Sequence, residues 1–214
     1  MTNNTPVDRF PQYGCHLYNQ CLQGRPVPCA GHARNCVRGQ IQCWQSSLIN
    51  VLLNRKNLAR TSSTPGRTQS INYFCLDQSL YFVDLPGYGF ARVPVKVKES
   101  WHGMVETYLR TRGSSTLKAV VLILDIRREL SSGDLDLLRW LHYYAIVPIP
   151  VLTKADKLSR QKARTSAAQI GKKLSDFTQD APILFSSKTR QGKESIWKKI
   201  RELTSTGPVS AGPK

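Results

Sequence analysis

The chain has 214 residues, a length typical of one domain, and 40% of them are hydrophobic, which is enough for a packed core. No stretch approaches the roughly 18 consecutive apolar residues that a membrane span needs. The first thirty residues lack the basic start and apolar run of a secretory signal. These observations exclude a membrane span and general disorder, and they favour a cytoplasmic protein.

The chain is strongly basic, with 31 Lys and Arg against 14 Asp and Glu and a net charge of +17. Residues 1–45 contain four Arg and one Asp, so +14 of this charge belongs to the remainder. An excess of this size predicts attraction to a polyanion, most often a nucleic acid. A basic protein without such a partner is the alternative.

Residues 1–45 show neither helical nor strand periodicity. Five of the six cysteines fall there, namely Cys15, Cys21, Cys29, Cys36 and Cys43. His16 and His32 add further zinc ligands, but there is no Cys-x-x-Cys pair and the spacings are longer than zinc sites use. A disulfide framework would need an oxidising compartment. Neither zinc nor disulfides account for this segment.

From Ser46 onward, helical and strand patterns alternate. Helices are predicted over residues 46–55, 95–112, 134–144, 159–177 and 193–204. Strands are predicted over residues 70–76, 79–83, 118–125, 147–152 and 181–185, the first two as an antiparallel pair. This alternation predicts an α/β fold with a mostly parallel sheet. Residues 206–214 are rich in Gly, Pro and Ser and are expected to form a flexible tail.

Open α/β sheets bind ligands at the carboxyl ends of their strands. The strand that ends at Val83 is followed by Asp84, Leu85, Pro86 and Gly87. The Asp84 carboxylate can hold a Mg²⁺ ion, directly or through water, and the Gly87 amide can contact a terminal phosphate. This strand end is therefore a candidate for the phosphate side of a nucleoside triphosphate site.

The strand over 147–152 is followed by Thr153, Lys154, Ala155 and Asp156. Guanine presents two adjacent donors, its N1–H and its amino group, and one carboxylate accepts both. Asp156 is placed for that role, while the stem of Lys154 can lie across the base plane. The alternative is an ordinary solvated turn.

The strand over 181–185 ends in Phe185, and Ser186, Ser187 and Lys188 follow. Their backbone amides are candidate donors to the guanine carbonyl oxygen. Each of these strand ends alone is a common turn sequence. Three of them, in this order and with compatible chemistry, predict a guanine-nucleotide site.

Three segments resemble the EngB group of bacterial GTPases, also called YihA or YsxC. Residues 54–69, which include Thr-Pro-Gly-Arg-Thr-Gln, resemble the first switch of that group. Residues 84–91, which begin Asp-Leu-Pro-Gly-Tyr-Gly, are similar to its second switch, and residues 153–157 to its base-recognition motif. The resemblance covers the chain from Ser46 to about Thr204.

The resemblance implies a P-loop GTPase-type three-layer sandwich that binds GTP or GDP and Mg²⁺. The metal ligands it implies are Ser46, Thr68 and Asp84. The nucleotide-binding residues are Ser46, Ser47, Gly66, Arg67, Thr68, Gln69, Ser70, Asp84, Leu85, Pro86, Gly87, Thr153, Lys154, Ala155, Asp156, Phe185, Ser186 and Ser187. It also implies a monomer that acts in large ribosomal subunit assembly, with ribosomal RNA or that subunit as partner, and that is needed for normal division and septation.

Tyr88 follows the Asp-x-x-Gly segment at a position where many GTPases have a water-orienting Gln. Slow hydrolysis of GTP, stimulated by a partner, is therefore expected. No residue is assigned to catalysis.

The segment before Ser46 departs from the family. Such a GTPase needs G-x-x-x-x-G-K-[ST] between its first strand and first helix, because loop amides and the Lys bind the phosphates. Residues 40–45 are Gln-Ile-Gln-Cys-Trp-Gln and contain neither Gly nor Lys. The first strand and the phosphate loop are therefore predicted to be disrupted, and GTP hydrolysis by this chain stays open.

Back-translation suggests a cause. When the reading frame of residues 34–45 is moved forward by one base, it permits Glu-Ile-Ala-Phe-Ala-Gly-Arg-Ser-Asn-Ala-Gly-Lys. Trp44 has a single codon, and the base that follows it forces the second Gly. This predicts a single-base frameshift before Ser46, with an aberrant segment over 1–45, a GTPase domain over 46–205 and the tail over 206–214. Loss of the loop by ordinary substitution is the alternative.

Two functions follow from these observations. The first is a GTP-binding protein with a damaged N-terminal segment. The second is a basic module that holds ribosomal RNA without nucleotide control. Guanine-nucleotide affinity distinguishes them.

Overall fold

The computed structural model describes the chain over residues 15–19, 39–43, 46–55, 72–76, 80–84 and 95–205. Seven strands lie in these ranges: β1 (Cys15–Asn19), β2 (Gly39–Cys43), β3 (Asn72–Leu76), β4 (Leu80–Asp84), β5 (Leu117–Asp125), β6 (Val147–Thr153) and β7 (Ile183–Leu184). The α-helices there are α1 (Ser46–Leu52), α2 (Val95–Thr116), α3 (Ser132–Tyr143), α4 (Arg160–Leu174) and α5 (Lys193–Ser205). Ala155–Lys157 forms one 3₁₀ turn.

The strands form one sheet in the order β1-β3-β4-β2-β5-β6-β7. Strands β4, β2, β5, β6 and β7 run parallel to one another. β3 is antiparallel to β4, and β1 is antiparallel to β3. The predicted antiparallel pair and the mostly parallel sheet are therefore confirmed, and the five parallel strands end at the same edge of the sheet.

Helices cover both faces of the sheet. On one face, α2, α3 and α4 pack around Val120 and Leu122 of β5. On the other face, α1 and α5 pack around Ala119 and Val121. Because successive strand residues point to opposite faces, a strand in the middle of three layers needs an unbroken apolar run. The predicted three-layer α/β architecture is confirmed.

Although residues 1–45 lack strand periodicity, two five-residue segments there form strands. β1 lies at one end of the described sheet, and β2 lies between β4 and β5. Pairing with β4 and β5 on either side defines β2, since its own five residues lack the unbroken apolar run of a central strand. Tertiary pairing of this kind does not appear in local sequence periodicity.

Several boundaries also differ from the predictions. α2 extends to Thr116, four residues beyond the predicted end, and β7 has two residues where five were predicted. α3 begins earlier than predicted because Ser131 caps it: the Ser131 hydroxyl accepts from the Asp134 amide at 3.2 Å, and the Asp134 carboxylate accepts from the Ser131 amide at 2.8 Å. The predicted tail over 206–214 lies outside the described residues. Within the described ranges, every helix is too short or too polar to cross a membrane.

Candidate functional site

The carboxyl ends of the central strands bring polar side chains to one edge of the sheet. Asp84 ends β4, Asp125 ends β5 and Thr153 ends β6. Asp125 and Thr153 are paired in register, so the β5 and β6 ends are neighbours. This is the edge where open parallel sheets bind their ligands.

Thr153 ties the ends of β5 and β6 together. The side chain is buried, and its hydroxyl donates to the Leu124 carbonyl oxygen at 3.0 Å. The Ile126 amide donates in return to the Thr153 carbonyl oxygen at 3.2 Å. Thr153 therefore has a structural contact that fixes where the following residues leave the sheet.

Lys154 begins a tight turn from this fixed point. Its backbone has φ +61° and ψ +31°, the left-handed conformation, which is uncommon for a residue other than glycine. The Ala155 amide then donates to the Phe185 carbonyl oxygen at 3.1 Å. The turn after β6 is thereby joined to the segment after β7.

Asp156 and Ser186 meet across this junction. The Ser186 hydroxyl donates to Asp156 Oδ1 at 2.6 Å, and Ser186 itself is fully buried. This hydrogen bond lowers the pKa of the Asp156 carboxyl below its ordinary value. The Ser186 hydroxyl in turn accepts from the Thr189 amide at 3.2 Å. Asp156 is therefore an oriented, ionised acceptor, as recognition of two adjacent donors requires.

Two of the backbone amides predicted to contact guanine are already bonded within the protein. The Phe185 amide donates to the Leu152 carbonyl oxygen at 2.8 Å, and the Ser186 amide donates to that of Gln191 at 3.2 Å. Phe185 also packs its ring in the core beneath α1 and α5. The expectation of an amide donor is wrong for these two residues and stays a prediction for Ser187 and Lys188.

Asp125 is a further polar residue at this edge that was not predicted from the sequence. Its Oδ1 accepts from Arg127 Nε at 2.9 Å, and its Oδ2 accepts from Arg127 Nη2 at 2.7 Å and from Lys154 Nζ at 2.9 Å. The hydrogen bonds from Arg127, and then that from Lys154, hold the pKa of Asp125 well below its ordinary value. Its position was visible in the sequence, since Asp125 ends the most apolar strand as Asp84 ends β4, but its contact with Lys154 was not.

The phosphate side of the edge has different architecture. Asp84 is buried at the end of β4 and is paired in register with Cys43, the last residue of β2. α1 begins at Ser46, with Ser47 half-buried behind it. If Ser46 ends a phosphate-loop motif, residues 39–45 should form the loop, but 39–43 form β2. Two residues are left for the connection, which is too short for a loop that surrounds phosphates.

Ser46 and Asp84 fit a magnesium ion by their chemistry. A hydroxyl and a carboxylate are oxygen ligands of the kind Mg²⁺ prefers, and both residues lie where β2 and β4 end. The remaining predicted residues lie outside the described part of the chain: Gly66, Arg67, Thr68, Gln69, Ser70, Leu85, Pro86, Gly87 and Tyr88.

The basic residues of the last two helices do not form one continuous surface. Arg160, Lys162, Arg164, Lys172 and Lys173 belong to α4, and Lys198, Lys199 and Arg201 belong to α5. The two helices pack against opposite faces of the sheet. Two of the lysines also have local partners, because Lys173 pairs with Glu129 at 3.3 Å and Lys199 pairs with Asp180 at 2.7 Å.

The three-layer α/β fold defines the class of protein, that of the P-loop GTPases. A family model described as a 50S ribosome-binding GTPase matches residues 36–154. A crystal structure of a probable GTP-binding protein engB superposes with a TM-score of 0.63 at 21% identity, over 78% of this chain and 98% of that one. A crystal structure of Era in complex with MgGDPNP and nucleotides 1506-1542 of 16S ribosomal RNA has a TM-score of 0.62 at 17% identity, over 81% of this chain and 59% of that one.

Relatives at higher identity give the family. The probable GTP-binding protein EngB of Syntrophus aciditrophicus is 52% identical over 164 residues, 77% of this chain and 82% of that protein. The protein of the same name in Bacillus subtilis is 43% identical over 176 residues, 82% of this chain and 89% of that protein. The chain belongs to the EngB family of GTP-binding proteins. The matches do not favour a nucleotide-independent module.

Proposed function

We propose that this protein is a Mg²⁺-dependent GTP switch that acts as a monomer in large ribosomal subunit assembly, in the cytoplasm, and is needed for normal cell division and septation. The observation that carries the guanine part is the Asp156 carboxylate, which Ser186 orients from a fully buried position. The family model described as a ribosome-binding GTPase and the charge of +17 support the ribosomal part. The Era structure, which contains ribosomal RNA, adds support from the same fold.

In this proposal, Asp156 selects guanine. Ser186 occupies Oδ1 from one side, and the ionised carboxylate keeps further lone pairs for the N1–H and amino group of the base. The stem of Lys154 lies across the base plane, as the family motif implies, and the Ser187 amide is a candidate donor to the base carbonyl. A base without the amino group would leave part of this acceptor unpaired.

On the phosphate side, Asp84, Ser46 and Thr68 would hold Mg²⁺, and Gly66–Ser70 and Leu85–Gly87 would contact the nucleotide as the two switches. When bound, the metal supplies positive charge that neutralises the β- and γ-phosphates. Asp84 keeps its carboxylate at the end of β4, and α1 directs its N-terminus toward the same edge. Slow hydrolysis is proposed because Tyr88 takes the position at which many GTPases have Gln.

We also propose that the frameshift accounts for the missing loop. β2 lies between β4 and β5. Its residue Gln42 is paired in register with Val83 of β4 and Val120 of β5, and both valines are fully buried. A central strand between such buried neighbours favours apolar residues. The shifted frame supplies Ile-Ala-Phe-Ala for this strand and then a complete phosphate loop that ends at Ser46. We call the full chain with this replacement at residues 34–45 the restored chain.

The proposal is tested by nucleotide selectivity of the restored chain. Calorimetry should give tight binding of GDP and GTP with Mg²⁺ and none of ADP. Asp156→Asn should weaken GDP binding by about 10- to 100-fold, because an ionised acceptor of two donors is lost. ADP binding should not change. A restored chain that prefers ADP, or an Asp156→Asn variant with unchanged GDP affinity, would contradict the assignment.

A further inference from the structure

The Asp125 carboxylate lies at the end of β5, next to the end of β6, and is not among the residues assigned to the nucleotide. Its side chain is 13% exposed, and both of its oxygens accept hydrogen bonds. Because Asp125 and Thr153 are paired in register, the carboxylate stands beside the point where the base-recognition turn begins. Asp125 therefore contacts the base-recognition turn and does not belong to the apolar core.

Arg127 fixes the Asp125 carboxylate. The Arg127 Nε and backbone amide both donate to Oδ1, at 2.9 and 3.1 Å, and Nη2 donates to Oδ2 at 2.7 Å. A guanidinium that contacts both oxygens sets the plane of a carboxylate as well as its position. The lone pair of Oδ2 that faces Lys154 therefore has a defined direction before any ligand binds.

Lys154 is held at both ends. The left-handed backbone is closed by the bond from the Ala155 amide to Phe185 and by the bond from the Lys157 amide to the Lys154 carbonyl oxygen at 3.0 Å. The ammonium group donates to Asp125 Oδ2 at 2.9 Å. A free lysine stem samples many rotamers, and fixing it before binding removes that entropic cost from the binding step.

We propose that Asp125 is a positioning residue for guanine-nucleotide binding: it anchors the Lys154 ammonium so that the lysine stem is preset against the base plane, and Arg127 fixes Asp125. The proposal rests on the proposed function. It assigns Asp125 no contact with the nucleotide. Its effect on affinity passes through Lys154.

A double-mutant cycle in the restored chain tests this route. Asp125→Asn should weaken GDP binding by about tenfold, measured by calorimetry. In a Lys154→Met background the same change should have no further effect, because the anchored group is gone. The ratio of GDP to inosine diphosphate affinity should also stay constant in Asp125→Asn, since the stem contacts any purine plane and Asp156 reads the amino group.

The exposed pair of Arg139 and Asp136 on α3, at 2.8 Å, provides the control. Asp136→Asn should leave GDP affinity unchanged. If Asp125→Asn does not fold, Arg127→Gln tests the same coupling from the more exposed side of the cluster. No loss of affinity, or an equal loss with and without Lys154, would overturn the inference while the proposed function stands. A restored chain that binds no GDP would overturn both.

Discussion

The two halves of the ligand-binding edge differ in how completely they are built. On the base side, the ends of β5, β6 and β7 are linked by hydrogen bonds from Thr153, Ala155 and Ser186, and the acceptor Asp156 is already oriented. On the phosphate side, two residues join β2 to α1, and the sequence there has neither Gly nor Lys. The two halves share one sheet edge, and under the proposed frameshift the phosphate half would be lost while the base half stays intact.

This difference shows what each half requires from the sequence. Base recognition uses single side chains at strand ends, which the strands themselves place. Phosphate binding uses consecutive backbone amides in a glycine-rich loop of fixed length, together with a lysine. The proposed change of reading frame would remove the second kind of site and leave the first unaffected.

The largest effect expected from this comparison is on nucleotide affinity. The restored chain should bind GDP with Mg²⁺ at least about a thousandfold more tightly than the present chain. Several charge-assisted hydrogen bonds of about 1.5–3 kcal/mol each are regained, and about 4 kcal/mol corresponds to a thousandfold. Titration calorimetry on both chains measures the difference. Equal micromolar affinity of the two chains would mean that the present chain binds the phosphates without this loop, and the frameshift proposal would fail.

How far the sequence predicts the molecule also differs between the halves. Strand ends at Asp84, Thr153 and Phe185 could be found from apolar runs, because burial on both faces leaves a clear pattern. β2 could not be found in this way, since its pairing with β4 and β5 makes it a strand. Asp125 was missed because its role depends on contact with Lys154, which is 29 residues away. The Phe185 and Ser186 amides were misassigned because their acceptors, Leu152 and Gln191, are visible only in the folded chain.

A substitution at Gly192 should disrupt the turn that supports the base side of the edge. Its φ is +82°, and a Cβ there would collide with the Leu184 carbonyl oxygen, so both the backbone and the space require glycine. Gly192→Ala should lower the free energy of unfolding of the present chain by about 2–4 kcal/mol.

Gly103 in α2 is the matched control, because a Cβ there meets nothing within 4 Å. Gly103→Ala should raise the free energy of unfolding by about 0.5–1 kcal/mol, since alanine favours a helix over glycine. Urea titrations followed by circular dichroism measure both changes. Equal effects at the two glycines would show that the Gly192 turn is not a fixed part of the base side.

Removing the Ser186 hydroxyl tests the orientation of Asp156 on the base side without changing the backbone of the turn. In the restored chain, Ser186→Ala should weaken GDP binding by about threefold to tenfold at neutral pH, because a hydrogen bond to an ionised group is lost. The Ser186 hydrogen bond lowers the pKa of Asp156, so its loss should raise that pKa. Loss of GDP affinity on acidification should then begin at a higher pH than in the parent.

Asp156 accepts the two donors of guanine in its ionised form, so GDP affinity is lost as the pH falls through the pKa of this carboxyl. A higher pKa in Ser186→Ala moves that loss to higher pH. Calorimetry over a series of acid buffers measures where binding is lost. An acid limit that moves to lower pH in Ser186→Ala would contradict the assigned role of this hydrogen bond.

The smallest expected effect concerns the two basic helices. α4 carries five Lys and Arg and no acidic residue, whereas α5 carries four and two acidic residues. α4 is therefore the better candidate for contact with ribosomal RNA. Lys172 is the better probe on it, because Lys173 already pairs with Glu129 at 3.3 Å.

For binding of the chain to isolated large ribosomal subunits, Lys172→Gln should make the negative slope of log affinity against log salt shallower by about one. One phosphate contact and its released counterion are then lost. Lys198→Gln on α5, which packs on the opposite face of the sheet, should leave the slope unchanged. GDP affinity of the restored chain should not change in either variant, since neither residue belongs to the nucleotide site. Binding assays across a salt series provide the slopes. A lower slope for Lys198→Gln alone would place the RNA contact on α5, and unchanged slopes for both would assign the charge of these helices to solvation.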